Sequence, residues 1–135
     1  MKEEEIRILV VDDNGDISGL ISALLGEEGY SVTIRNGGES ALALLESSNF
    51  DLLLLDVMMP GKSGFDVLAD LKELNKKENR EIPVIMVTAK SGSEDIDHAL
   101  GLGATAYIIK PFRAELLRAK VREVLVETGK LEAAQ

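Results

Sequence analysis

The sequence predicts an α/β fold, a three-layer sandwich with a parallel sheet at its centre, and three observations predict it. Short apolar runs recur at regular intervals along the 135 residues. Segments with helical periodicity separate them. The first, third and fourth runs are almost continuously apolar, as suits strands covered on both faces. Strands alternating with helices of this length imply right-handed crossovers and helices on both sides of the sheet.

The first strand is expected over Ile6–Val11. Ile17, Leu20, Ile21, Leu24 and Leu25 then follow the spacing of one buried helix face. Asn14 is its N-cap and Gly29 closes it. Gly15 and Gly19 weaken this helix by about 1 kcal/mol each. Ser31–Arg35 is the second strand, and after a Gly37-Gly38 turn Glu39–Ser47 is the second helix. Asp51–Leu55 and Phe65–Leu74 form the third pair, followed by a charged, solvated loop over Asn75–Glu81. Pro83–Val87 is the fourth strand. The helix after it, Glu94–Leu102, turns Ile96, Ala99 and Leu100 inward and ends at Gly101-Leu102-Gly103. Ala106–Ile109 is the fifth strand. The last helix, Ala114–Glu127, carries Leu117, Val121, Val124 and Leu125 on its inner stripe and stops at Gly129. No internal repeat or linker interrupts the pattern. Residues 1–127 are therefore expected to form one domain, and Thr128–Gln135 a frayed tail.

Composition narrows the function. Hydrophobic residues make up 45% and aromatics only 4%, so there is enough for a real core, which must be aliphatic, and an ordered domain is expected. No cysteine is present, which removes disulfides and thiolate metal sites, and the single histidine, His98, rules out a multi-histidine zinc or iron centre. The acidic start Met1-Lys2-Glu3-Glu4-Glu5 is neither a signal nor a transit peptide. No apolar run approaches the roughly 20 residues of a membrane helix, so a cytoplasmic protein without membrane contact is expected. A formal net charge of −9 argues against a broad basic surface for nucleic acid. Phosphate chemistry here needs local positive charge from a lysine or a metal.

In an open parallel sheet the functional crevice lies beyond the carboxyl ends of the strands. Strand one ends in Asp12-Asp13, strand three in Asp56, strand four in Thr88-Ala89 and strand five in Lys110-Pro111. Three carboxylates, a hydroxyl and an ammonium thus converge on one edge. Two like charges at 4 Å repel by about 4 kcal/mol at an effective dielectric of 20, so the carboxylates need counter-charge. Lys110 supplies one, and a hard divalent cation, Mg²⁺ or alternatively Mn²⁺, would supply the rest. Such a set binds phosphoryl groups, and a carboxylate lodged in it can act as nucleophile and become an acyl phosphate.

Val10-Val11-Asp12-Asp13, then Leu54-Leu55-Asp56-Val57-Met58-Met59-Pro60-Gly61-Lys62-Ser63-Gly64, then Val87-Thr88-Ala89, then Lys110-Pro111-Phe112 closely resembles receiver domains of response regulators, the chemotaxis response regulator included. The resemblance runs from about Ile6 to about Leu125. It implies the flavodoxin-like receiver fold, a five-stranded parallel sheet of order 2-1-3-4-5 with five helices. It implies that Asp56 accepts the phosphoryl group. Mg²⁺ is held by Asp12, Asp13 and Asp56 with the backbone carbonyl of Met58. Thr88 bonds the phosphoryl group in the active state, and Lys110, before a cis Pro111, contacts a phosphoryl oxygen. Tyr107 swings inward as Thr88 moves. Pro60 and Gly64 match turn positions. Met58 and Lys90 flank the path of attacking water, positions that tune autodephosphorylation in the family. Met58 cannot orient water by a strong hydrogen bond, so a long-lived phosphate is expected.

The implied function is a phosphoacceptor in a two-component phosphorelay, a switch rather than an enzyme, although it catalyses its own phosphorylation and slow autodephosphorylation. Its donor is a histidine kinase or histidine phosphotransfer protein. Its output is altered binding of a downstream protein, or of a second copy in a phosphorylation-dependent dimer, through the face of helix four, strand five and helix five. The chain is expected to be either a stand-alone receiver or a fragment of a longer regulator.

Blander readings exist for each residue alone. An acidic pair after a strand can cap a helix, Asp56 can be a solvated loop residue, and Tyr107 can be half-buried packing. The first two lose force once Thr88 and Lys110 arrive in register. His98 is read as a solvent-facing surface residue. A phosphatase of the haloacid-dehalogenase type would need an aspartate where Met58 stands. A flavodoxin-like cofactor binder would want a hydroxyl- and glycine-rich loop where Asp12-Asp13 stand. A degenerate receiver would not keep the full acidic set and lysine.

Overall fold

The structure, a computed structural model, describes residues 5–132. The acidic start at residues 1–4 and the tail at residues 133–135 lie outside the described residues. Five β-α units follow in order: β1 Arg7–Val11, α1 Gly15–Glu27, β2 Ser31–Arg35, α2 Gly38–Ser47, β3 Leu52–Leu55, α3 Gly64–Lys77, β4 Val84–Thr88, α4 Ser93–Gly101, β5 Ala106–Ile109 and α5 Ala114–Glu127. All four strand pairings are parallel, and the sheet order is β2-β1-β3-β4-β5. Both the fold class and the strand order match expectation.

Alternate strand residues feed two separate cores. Leu9, Val11, Leu53 and Leu55 meet Leu45 of α2, Val67 and Leu71 of α3 and Ala99 of α4 on one face. Ile8, Val10, Leu52 and Leu54 meet Ile21 and Leu25 of α1 and Leu117, Val121 and Val124 of α5 on the other. This two-sided covering is why β1, β3 and β4 read as continuous apolar runs. The edge strand β2 is only half buried. Among the described residues, no helix is long and apolar enough to cross a membrane.

Several expectations need correction. Leu20 is 48% exposed, and Ser18 is buried in its place. At about 100° per residue Leu20 falls just beyond the margin of the α1 stripe, whereas Ser18, its hydroxyl donating to the Gly15 carbonyl at 3.3 Å, turns inward. Leu100 is likewise 46% exposed, because α4 packs through Ala99 and Leu102 on the opposite side. Gly38 is not a turn residue but the first residue of α2, with Gly37 as its N-cap.

The Asn75–Glu81 segment begins as helix. α3 continues to Lys77, its last turn carries Lys76 and Lys77 against the dipole, and the Asn75 side chain bonds both backbone groups of Ile82. The chain after α5 is not frayed over its described part. Gly129 N–H donates to the Val126 carbonyl at 3.1 Å and Lys130 N–H to that of Leu125 at 2.8 Å, a Schellman closure that returns Leu131 to the core.

One glycine bears directly on the sheet's functional edge. A Cβ on Gly64 would run into the backbone carbonyl oxygen of Asp56 and come within 2.7 Å of Val57 Cα. The start of α3 therefore lies flat against the end of β3. Gly64→Ala is expected to lower stability by about 3 kcal/mol, the upper part of the overpacking range. Gly19→Ala, with nothing within 4 Å of the new methyl, should raise it by about 0.5–1 kcal/mol. Urea unfolding midpoints check both, and a neutral Gly64→Ala would show that α3 can shift away at no cost.

Candidate functional site: an acidic cluster held by a lysine

The hydrogen-bond ladder continues one residue past the strands and thereby places the site. Asp12 N–H donates to the Arg35 carbonyl at 3.1 Å, Asp56 N–H to that of Val11 at 3.0 Å, and Lys110 N–H to that of Thr88 at 2.9 Å. Asp12 and Asp56 thus stand side by side at the ends of β1 and β3, with Lys110 reaching across from β5.

Asp12 is 2% exposed, Asp56 5% and Thr88 fully buried, while Asp13 faces solvent. Lys110 Nζ lies 2.6 Å from Asp12 Oδ2 and 3.0 Å from Asp56 Oδ2. The other oxygen of each carboxylate accepts from the backbone two residues on: Asn14 N–H to Asp12 Oδ1 at 2.9 Å and Met58 N–H to Asp56 Oδ1 at 3.1 Å. Thr88 repeats the pattern, its Oγ1 accepting from Lys90 N–H at 3.3 Å. Three polar residues that end apolar runs are therefore fixed by the same local turn. Asn14 also caps α1, accepting from Asp16 and Ile17 N–H.

Carboxylate oxygens of Asp12, Asp13 and Asp56 all lie within 4.8 Å of one another. Against three negative charges Lys110 provides one positive charge, so the cluster keeps an excess of two. All the donors are hard oxygens, a set that suits a small divalent cation and is too acidic to be stable packing alone.

Thr88 makes no side-chain hydrogen bond to Asp56 or Lys110 among the described residues; it waits one layer behind. The Tyr107 hydroxyl donates to the Lys90 backbone carbonyl at 2.7 Å, and the ring is half-buried. Burial first, and the charges of Asp95 and Asp56 after it, push the Tyr107 hydroxyl up from its ordinary pKa, which keeps it a donor. Lys90 itself reaches Asp95 at 4.0 Å. The Lys110–Pro111 peptide is cis. His98 is exposed as expected, yet its ring stands edge-on to Phe65 with centroids 4.6 Å apart.

Volume does not mark this site. The larger cleft, about 960 Å³, lies at the opposite end of the sheet beside Pro83, Val84 and Thr105. A cleft of about 610 Å³ lined by Met58, Met59, Phe65 and Lys90 borders the loop after Asp56. In the sequence Gly64 reads only as a turn position, and residue type does not point to the backbone donors of Asn14 and Met58. The spacing of a strand-ending polar residue to a donor two positions on was the signal available for them.

Burial pulls the Lys110 pKa down, but its hydrogen bonds to Asp12 and Asp56 and their charges outweigh that, so the net shift is upward. A lysine with a raised folded-state pKa contributes stability that is complete below its unfolded value and lost as pH rises through the folded one. Lys110→Met should cost about 3 kcal/mol at neutral pH by stranding two buried carboxylates. The gap between parent and variant is expected to hold up to the ordinary lysine value of 10.5 and to narrow above it. Denaturant titrations across the alkaline range check this; a gap that narrows well below that value would contradict it.

The response regulator receiver domain model matches residues 8–122. The transcriptional regulatory protein CpxR of Klebsiella pneumoniae is 47% identical over 121 residues, covering 88% of this chain and 49% of that protein. DltR of Streptococcus agalactiae is 42% identical over 117 residues, covering 87% and 50%. The chain thus spans about half the length of the curated relatives it matches. Among solved structures, a CheY-like receiver domain protein of Methanospirillum hungatei aligns with a TM-score of 0.86 at 34% identity, over 94% of this chain and 98% of that one. CheY4 of Vibrio cholerae aligns at 0.83 and 30% identity, over 90% and 100%. With an acidic cluster and a lysine at the carboxyl edge of a 2-1-3-4-5 sheet, and these likenesses, the chain belongs to the response-regulator receiver-domain family of two-component signalling.

Proposed function

We propose that this receiver accepts a phosphoryl group on Asp56 from a phosphohistidine of a histidine kinase or histidine phosphotransfer protein, and that residues 1–127 carry that activity. The observation that carries the reading is Lys110 Nζ bonded at once to Asp12 and Asp56, with three carboxylates inside 4.8 Å. A carboxylate oxygen of Asp56 attacks phosphorus in line, the P–N bond breaks, and the imidazole departs. Lys110, already bonded to Asp56, can donate a hydrogen bond to a phosphoryl oxygen, and the Met58 N–H holds the Asp56 carboxylate in orientation. Asp12, Asp13 and Asp56, with the Met58 backbone carbonyl, are the residues to hold Mg²⁺, or Mn²⁺. When bound, such an ion offsets charge on the phosphoryl oxygens.

Thr88 is poised to respond. Its hydroxyl already serves the Lys90 N–H and needs only to rotate toward the edge to reach a new phosphoryl oxygen. Tyr107, anchored to the Lys90 carbonyl, can follow into the space vacated. This shifts the population of conformers of the α4-β5-α5 face, where Leu100, Ile109 and Leu116 are 46%, 41% and 47% exposed. A downstream protein, or a second copy, binds there. The relatives named as transcriptional regulators point to a genetic output in the cytoplasm. The net charge of −9 supports a reading in which any DNA contact is made outside this receiver.

Met58 is 55% exposed and offers only a weak acceptor, so the aspartyl phosphate is long-lived. Intact mass after acetyl phosphate with Mg²⁺ should show one added phosphoryl group in the parent and none in Asp56→Asn. An equal gain in both, or none in the parent, overturns the reading. Met58→Asn, with an amide able to hold a water, should lose its phosphate roughly 3- to 10-fold faster, the worth of one orienting hydrogen bond. An unchanged rate would show that Met58 does not set the lifetime.

A further inference from the structure

Three methionines lie among the described residues, and their surroundings differ. Met86 is fully buried within β4 and Met59 is 8% exposed, whereas Met58 is 55% exposed. Met58 stands two positions after Asp56, and its own N–H donates to Asp56 Oδ1 at 3.1 Å. Its side chain lines the cleft of about 610 Å³ together with Lys90, whose N–H holds Thr88 Oγ1 at 3.3 Å. One accessible thioether therefore lines this opening, on the loop that follows Asp56. The other two are shielded by the core.

Thioethers are soft and react with peroxides wherever these can reach the sulfur. We propose that Met58 is a redox-modification site, and that its oxidation to the sulfoxide by a peroxide shortens the lifetime of the phosphoryl group on Asp56. The second half rests on the phosphoacceptor reading above. In the step itself, a sulfur lone pair attacks one oxygen of hydrogen peroxide, forming the S–O bond as the O–O bond breaks. The departing hydroxide takes the proton of the transferred oxygen and leaves as water. Sulfur loses two electrons and the peroxide gains them, so no further reagent is needed.

The product changes what this opening can do. A thioether offers water a weak acceptor, while a sulfoxide oxygen is a strong and polar one. On a flexible, exposed side chain two residues from Asp56, it can accept a hydrogen bond from a water and aim that water's lone pair at the phosphorus. The modification is also reversible by sulfoxide reductase chemistry. Oxidant exposure would thus clear the switch without touching Asp56 or Lys110.

The test uses the full chain treated with hydrogen peroxide, beside Met58→Leu and Met58→Gln. Peptide mapping should find a one-oxygen gain at Met58 well before any at Met59 or Met86. After acetyl phosphate and removal of the donor, the treated parent should lose phosphate roughly 3- to 10-fold faster than the untreated parent. Met58→Leu should show no peroxide effect on its own rate, and Met58→Gln should be fast without peroxide. Oxidation of Met59 or Met86 as readily as Met58 overturns the assignment of the site. Selective oxidation with an unchanged rate overturns the proposed effect while leaving Asp56 as acceptor intact. Failure of the untreated parent to gain a phosphoryl group removes the acceptor reading, and the lifetime effect with it.

Discussion

Everything at the carboxyl edge of the sheet depends on Lys110. Asp12 and Asp56 are almost completely buried, and each needs compensation that water cannot supply there. A single ammonium, 2.6 Å from one carboxylate and 3.0 Å from the other, provides it. Removing either acid leaves the lysine a partner, but removing the lysine leaves two buried charges facing each other. The balance is incomplete, because Asp13 adds a third carboxylate with no ion-pair partner among the described residues. A site left with excess negative charge and hard oxygen donors suits a small divalent cation.

The backbone makes this juxtaposition possible. Lys110 and Asp12 are 98 residues apart in sequence, yet they meet because β1, β3, β4 and β5 pair as neighbours in one parallel register. Asp12, Asp56 and Lys110 each sit one step beyond a strand whose alternate residues are locked into the two cores. The slippage that would disperse the site would also turn each strand's apolar residues to the wrong face. Gly64 adds a local constraint: its missing side chain lets α3 begin against the Asp56 carbonyl, so the loop with Met58 is pinned at both ends.

The periphery of the site is built differently. Thr88, Lys90 and Tyr107 are joined by single hydrogen bonds, Lys90 N–H to Thr88 Oγ1 and Tyr107 hydroxyl to the Lys90 carbonyl. Such bonds contribute about 1 kcal/mol each and can be exchanged at little cost. A rigid charged centre with a loosely tied rim is the arrangement a switch requires. Chemistry needs fixed geometry, and signalling needs two states of similar energy.

Much of this was legible in the residues themselves. The alternation of apolar runs and helical stripes predicted all ten elements, and the polar residues that ended the runs marked the site. Periodicity misjudged Leu20 and Leu100, since a helix stripe has margins and only the neighbouring surfaces set where burial stops. It also took Asn75–Lys77 for loop, because the bonds of the Asn75 side chain to Ile82 are tertiary and leave no local pattern. The fold class and the identity of the clustered residues were determined by sequence, through local patterning that each strand and helix carries alone. The pairing of Lys110 with both Asp12 and Asp56, the close approach at Gly64 and the exposure of Met58 were decided only by tertiary structure. Distances between side chains on different strands depend on sheet order and register, which no single segment encodes.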